Sequence, residues 1–337
     1  MQNKAIVFTA PGVAQLLDEE TSPPNRGCVQ VKVCYSTISS GTERANLIGD
    51  PNVATVGAPQ VVFPRRCGYS AAGVVTAVGE GITDLQPGDR VALAGSLHSR
   101  YLNLGRSNVY KLPDSVSMQS AALMYIASFP LAAIRKCHLE IGEPAIVMGL
   151  GILGLAAVQL LKNAGAVPVI AADPIPEKRE KALLCGADVA LDPTDAAFAS
   201  TVKALTGGGA KVGIEVTGIG AGLDGILDCM ARFGRVALLG CTRNKDFTID
   251  YYRKVHGPGI TLIGAHNNAR PASDSSGGWW TQKDDMQTLI KQHEFNRIRL
   301  GDMVDAVFAP EDAPRIYERL AREKAFPVVQ FNWEALA

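Results

Sequence analysis

The amino-acid sequence predicts an α/β protein of two domains, a β-rich N-terminal domain and a doubly wound parallel-sheet domain. Three observations carry this. At 337 residues the chain is too long for one ordinary core and comfortable for two. Residues 1 to about 120 hold short valine-rich runs (VQVKVCYS, GVVTAVG, RVALAG) set apart by turn signals such as Pro87-Gly88-Asp89. From Ala145 onward apolar strands alternate with helical stretches, which demands a parallel sheet with helices on both faces.

Taken in order, the many closely spaced short strands of the first region read as a small barrel or sandwich. Residues 117–137 read as a helix. AIVMGLG is then a strand and turn, ILGLAAVQLLKNAG a helix, PVIAAD a strand, PEKREKALLCGA a helix and VALD a short strand. The series continues with helix AAFASTVKALTGG, strand KVGIEVTG, helix GLDGILDCMARFG and strands RVALLG and ITLIGA. After about residue 268 the alternation stops; polar ASDSSGG leads to Trp279 and Trp280, helical stretches and a last strand, FPVVQF. The expected divisions are 1–120, 121–267 and a C-terminal return, 268–337, to the first domain.

Composition narrows the partners. Lys+Arg and Asp+Glu balance at 33 each, so no global field attracts nucleic acid or an anionic membrane. A small-molecule substrate is the expected partner. No stretch approaches the roughly 18 apolar residues that cross a bilayer, and MQNKAIVFTAPG lacks the pattern of a secretory leader. The seven cysteines are scattered, with no C-x-x-C pair, which argues against a disulfide framework and a Cys-rich zinc site. Reduced thiols in a cytoplasmic protein are the expectation.

Gly149-Leu150-Gly151-Ile152-Leu153-Gly154 is G-x-G-x-x-G, a weak signal alone, but here a strand enters it and an amphipathic helix leaves it. Gly149 permits the tight turn, Gly151 lets backbone approach a pyrophosphate, and Gly154 allows close packing of helix on strand. Asp173 stands 19 residues after Gly154, at the end of PVIAAD. A carboxylate there accepts from both adenosine ribose hydroxyls and repels a 2′-phosphate, so NAD(H) is expected over NADP. Lys178 can add a ribose contact. Gly218 and Gly240 end later strands on the same sheet edge, which makes Thr217 and Leu239 candidate nicotinamide-side contacts.

With these motifs quoted, the chain resembles the medium-chain dehydrogenase/reductase superfamily of zinc alcohol and polyol dehydrogenases and zinc-free quinone and enoyl reductases. The resemblance rests on the order of GYSAAGVVTAVGEGITDLQPGDRVAL, LPDSVSMQSAAL and GLGILGLAAVQLLKNAGA, and covers nearly the whole chain. It implies a GroES-like catalytic domain split by an inserted Rossmann domain, and a homodimer or homotetramer. Zinc-containing members carry Cys-Gly-Ser-Asp where this chain reads Ser40-Gly41-Thr42-Glu43, and Gly-His-Glu where it reads Gly68-Tyr69-Ser70. A third ligand aligns with about Tyr125, and the family's four-cysteine lobe is replaced by the direct bridge from Gly95 to Tyr101. Neutral hydroxyls are poor Zn²⁺ ligands, so no zinc is expected. The pattern S-G-T-E-R with G-Y-x-x-x-G-x-V also resembles a branch holding bacteriochlorophyllide dehydrogenases and sugar- or polyol-related oxidoreductases.

Without a metal to polarise oxygen, a positioned acid must supply the proton. The aligned loops nominate Tyr69 and Tyr125, standing where ligands stood, with Thr42 as a relay and Glu43 as a base or as the group that orients Tyr69. Each has a plainer reading: the tyrosines as pocket filler, Glu43 as a partner of Arg44 or Arg66. Ser40, His266, Asn267, Asn268 and His98 are candidate substrate contacts, though His98 reads more readily as structural or as a distal pocket wall. Trp279 and Trp280 read as core or interface more readily than as a platform for a sugar ring. The leading expectation is a zinc-independent NAD(H) oxidoreductase for a polar alcohol or ketone. The alternatives are a quinone or enoyl reductase and a non-catalytic NAD-binding sensor.

Overall fold

The computed structural model describes residues 1–53, 61–242 and 246–336, and the chain divides into two compact units. The first comprises residues 1–126, 290–296 and 300–337; the second comprises 127–289 and 297–299. Among the described residues no helix is long and apolar enough to cross a membrane.

The first unit is β-rich, as its texture predicts. Strand Cys28–Thr37 is the hub of its larger sheet: Ser70–Val78, Tyr101–Gly105 and the late strand Val329–Asn332 all pair with it, antiparallel. Strands Arg90–Ala94 and Val109–Lys111 extend the sheet from Ser70–Val78. Val29, Val31, Val33, Leu93 and Phe331 are fully buried in the core that this sheet covers. Helix Ala313–Arg322 closes the core with Ala313, Ile316, Tyr317 and Leu320, a stripe at helical spacing with polar residues between.

The second unit is the predicted doubly wound sheet. Its strands lie in the order Val189–Leu191, Val169–Ala172, Ala145–Met148, Ala210–Glu215, Met230–Leu238, Thr261–Gly264, all parallel. In sequence order that is 3-2-1-4-5-6, the Rossmann arrangement, whose switch point lies beside the strand entering the glycine motif. Ile146, Ile170, Val212 and Ile214 are fully buried, as continuous apolar strands covered on both faces should be.

The divisions differ from the expected ones at both ends. The first unit runs to residue 126, inside helix Met124–Lys136, and residues 268–289 cluster with the second unit instead of returning at 268. The physical reason is local. Lys136 Nζ donates to the carbonyls of Gly264 and Ala269, at 3.2 and 2.5 Å, and its ammonium lies 4.7 Å from the Trp279 ring centre. Arg135 pairs with fully buried Asp285 and stacks 3.7 Å over Trp280. Both tryptophans are thus cation partners that hold this segment, a use composition could not foretell.

Candidate active site

The glycine turn of the second unit is built from backbone. Gly149 has φ +97°, the turn conformation that the first glycine of the motif is there to supply. A Cβ on Gly154 would stand 1.9 Å from the Gly149 carbonyl oxygen, so no other residue fits between helix Ile152–Asn163 and the turn. A Cβ on Gly151 would project into open space, the space a pyrophosphate needs at the helix N-terminus. Ile152 is buried under the helix and Leu153 is half-buried.

Asp173 ends its strand as expected and is only 5 % exposed. Its carboxylate accepts from the backbone N–H of Leu150 at 2.9 Å and of Ile175 at 3.0 Å, with Lys178 Nζ 3.9 Å away. The acid therefore braces the glycine turn.

Further along the same sheet edge, Glu215 is a residue that the sequence reading missed. It is 3 % exposed, and its carboxylate accepts from the Thr217 hydroxyl, the Thr217 amide at 2.7 Å and the Gly218 amide at 3.2 Å. Its backbone carbonyl accepts from the amides of Leu239 and Gly240, at 2.9 and 2.8 Å. Glu215 thus ties together the two loops that hold Thr217, Gly218, Leu239 and Gly240. Burial pushes its carboxyl above the ordinary range, opposed by Thr217 and Gly218. The signal was available: an acid ending a strand of the parallel sheet, as Asp173 does, here followed by a glycine turn at Gly218.

His266, Asn267 and Asn268 follow the last strand of this unit. His266 is exposed, and its Nδ1 accepts from the Asn268 amide at 3.1 Å. The Asn267 side-chain oxygen accepts from Arg270 at 2.8 Å, while Asn268 is exposed.

A hydroxyl cluster lies in the first unit, where helix Ser40–Ile48 begins with Ser39 as its N-cap. The Tyr69 hydroxyl donates to Ser39 Oγ and also hydrogen-bonds the Thr42 side chain. Burial pushes the Tyr69 phenol well above its ordinary range, against the two hydroxyls and with a smaller push from Glu43. Tyr125, 8 % exposed, meets Tyr69 edge to face with ring centres 6.0 Å apart. Ser39, missed in the sequence, holds Tyr69 in place; Ser40, the expected contact, is half-buried on the helix's first turn.

The structure corrects the pairing of Glu43 with Arg44 or Arg66 and the expectation of His98 as a substrate contact; the burial of His98 fits its structural reading. Glu43 is fully buried, and its carboxylate accepts from the Ser39 amide at 2.7 Å, Tyr317 hydroxyl at 2.5 Å and His98 Nε2 at 3.0 Å. It pairs with neither Arg44 nor Arg66, because Arg44 donates to the carbonyls of Leu320 and Glu323 and Arg66 pairs with Glu19. His98 is 1 % exposed with both ring nitrogens bonded, which places it in the interior, away from any substrate surface.

The relatives' zinc chemistry can be tested on these donors. Tyr69 is a neutral phenol held far from ionisation, and Ser40 and Tyr125 offer only further hydroxyls. Zinc prefers thiolate, imidazole and carboxylate, so this set does not fit it. Among the described residues no group of three or more His, Cys, Asp or Glu side chains is placed to share a metal ion.

Comparison with known proteins agrees with the fold and the motifs. The alcohol dehydrogenase GroES-like domain model matches residues 26–127, and the zinc-binding dehydrogenase model matches 153–274. The chain belongs to the medium-chain dehydrogenase/reductase superfamily, in its zinc-alcohol-dehydrogenase-like group. This dehydrogenase relative is 27 % identical over 334 residues to the D-guloside 3-dehydrogenase of Escherichia coli K12, covering 93 % of this chain and 95 % of that one. The structure of 2R,3R-butanediol dehydrogenase from Bacillus subtilis superposes with a TM-score of 0.82 at 23 % identity, covering 98 % and 99 % of the two chains. An alcohol dehydrogenase from E. coli CFT073, solved with NADH, gives a TM-score of 0.82 at 19 % identity over 98 % and 99 %.

Proposed function

We propose that this protein is an NAD(H)-dependent, zinc-independent oxidoreductase that moves a hydride between nicotinamide and a polar alcohol or ketone, a sugar, polyol or derivative. The observation that carries the proposal is the Tyr69–Ser39–Thr42 hydroxyl cluster at the position where relatives of the zinc type carry metal ligands. Asp173 favours NAD(H), because its carboxylate already holds two amide donors and would repel a 2′-phosphate. The names of the relatives, a guloside dehydrogenase and a butanediol dehydrogenase, favour a hydroxylated substrate.

NAD(H), when bound, supplies or accepts the hydride. In carbonyl reduction Tyr69 gives its phenolic proton to the substrate oxygen, and Ser39 and Thr42 stabilise the resulting phenolate by hydrogen bonding. Transfer runs downhill even from a raised phenol, since an alkoxide is the stronger base. We further propose a homodimer or homotetramer built through strand Thr261–Gly264, an outer strand whose Thr261, Leu262 and Gly264 are exposed.

The test is an assay of the purified protein with NAD⁺ or NADH against a panel of glycosides, polyols and their ketones, run beside activated alkenes with NADPH. Turnover of the hydroxylated or keto panel with NAD(H) is expected. Turnover confined to alkenes with NADPH would overturn the proposal, as would NADH binding without turnover of any compound.

A further inference from the structure

We infer that Glu43, His98 and Tyr317 form a closed positioning unit that fixes Ser39, and through Ser39 aims the Tyr69 hydroxyl, without itself exchanging protons with the substrate. The inference rests on the reading of Tyr69 as proton donor; to the orienting role already considered for Glu43 it adds His98 and Tyr317, the latter far from Tyr69 in sequence.

The hydrogen bonds form one connected chain. The Trp333 indole N–H donates to Ser36 Oγ at 2.8 Å, and Ser36 Oγ meets His98 Nδ1 at 2.7 Å. His98 Nε2 faces a Glu43 carboxylate oxygen that can only accept, so Nε2 carries the hydrogen, and the Ser36 hydroxyl then donates to Nδ1. Tyr317 donates to the same carboxylate oxygen, and the other oxygen takes the Ser39 amide. Every donor has an acceptor in this assignment. Such a network specifies one arrangement strongly, because leaving any member unpaired in the interior is costly.

Its far end is closed. Trp333, Ser36, His98, Glu43 and Tyr317 are each at most 1 % exposed, and an indole N–H is a donor only. A proton arriving at His98 therefore has no exit to water at that end. Tyr317 is walled in by Phe8, with ring centres 4.9 Å apart edge to face, and by Phe331 at 6.0 Å. Ser39 connects this unit to the hydroxyl cluster, its amide on Glu43 and its hydroxyl on Tyr69.

A second set of contacts fixes Tyr69 from behind. The Tyr69 carbonyl accepts from the amides of Gly95 and Ser96, at 2.8 and 3.3 Å, and the His98 amide donates to the Cys67 carbonyl at 3.1 Å. Gly68, at φ +105°, lies so close to the imidazole that a Cβ would stand 2.8 Å from His98 Cδ2. The His98 segment thus carries the Tyr69 loop while its ring holds Glu43.

The experiment is a double-mutant cycle, with methyl D-guloside and NAD⁺ as the assay and hydrogen exchange as a readout independent of turnover. Tyr317→Phe removes one donor to Glu43 and keeps the ring. It should lower kcat about tenfold, with KM for NAD⁺ unchanged, and should lower it less than twofold in a Tyr69→Phe background. Amide exchange in residues 38–44 should speed up at least tenfold while the Rossmann strands stay unchanged. His98→Gln, which can still donate to Glu43, should recover more activity than His98→Ala.

Equal losses of kcat from Tyr317→Phe in both backgrounds would overturn the inference, as would unchanged exchange in residues 38–44. If Tyr69→Phe alone leaves turnover intact, the reading of Tyr69 fails. The exchange measurement then decides the positioning unit by itself.

Discussion

The nucleotide turn and the hydroxyl cluster are both candidate sites, but they are built differently. At the turn, function lies in backbone: Gly149 bends, Gly154 makes room, and Asp173 braces Leu150 across 23 residues. At the cluster, function lies in side chains gathered from distant segments; Glu43 and Tyr317 touch across 274 residues. A site made of backbone is strict about what is absent, a Cβ at Gly154. A site made of side chains is strict about partners, since each buried polar group must find one.

The sharpest way to break the comparison is Gly154→Val. The added carbons run into the Gly149 carbonyl, with no flexible side chain to yield. NADH affinity should fall at least about 100-fold, with overpacking lowering stability by about 1–3 kcal/mol, read by fluorescence titration and thermal melting. Retained affinity would mean the turn is not strict.

Tyr69→Phe comes next. Loss of a positioned acid should lower kcat roughly 10²–10⁴-fold while NADH binding holds, because the phenol is no part of the nucleotide turn. Steady-state kinetics beside direct NADH titration would show the split.

Asp173→Asn is smaller. It keeps the shape and one acceptor but loses the charge, so NADH affinity should fall about tenfold and the margin over NADPH should narrow. A variant that still rejects NADPH as firmly as the wild type would move the source of that preference elsewhere.

The smallest effect expected is in the pH profile. A phenol is a proton donor only while protonated, and burial raises Tyr69, with Glu43 and Cys67 beside it pushing the same way. The donor form therefore persists across the working range, and carbonyl reduction should change less than about twofold on the alkaline side up to roughly pH 10, near the ordinary tyrosine value. An alkaline loss centred near neutrality would point to a different acid.

The same contrast explains what could be read in advance. The parallel sheet and the glycine turn were legible because each depends on short local patterns: apolar runs, glycines at fixed offsets and a strand-ending acid. Glu215 was legible by that rule and was passed over. Ser39 was hidden by register, since the family alignment draws the eye to Ser40. Tyr317 stands on an apolar helical stripe, where nothing local separates a core tyrosine from one that holds a catalytic loop. His98 was readable either as structural or as a pocket wall, and only its two bonded nitrogens separate the readings. The fate of residues 268–289 depended on Arg135 and Lys136, more than 120 residues earlier in the chain.

The central claim is that hydroxyls have taken over the work done elsewhere by a bound cation, and metal dependence tests it most directly. Protein purified without an affinity tag should be dialysed exhaustively against a chelator, its zinc content measured, and its NAD(H)-linked turnover compared before and after. The account predicts zinc far below one ion per chain and turnover unchanged by chelation. Activity lost on chelation and restored by one equivalent of zinc, in a protein whose Tyr69→Phe variant also fails to take up the metal, would contradict it.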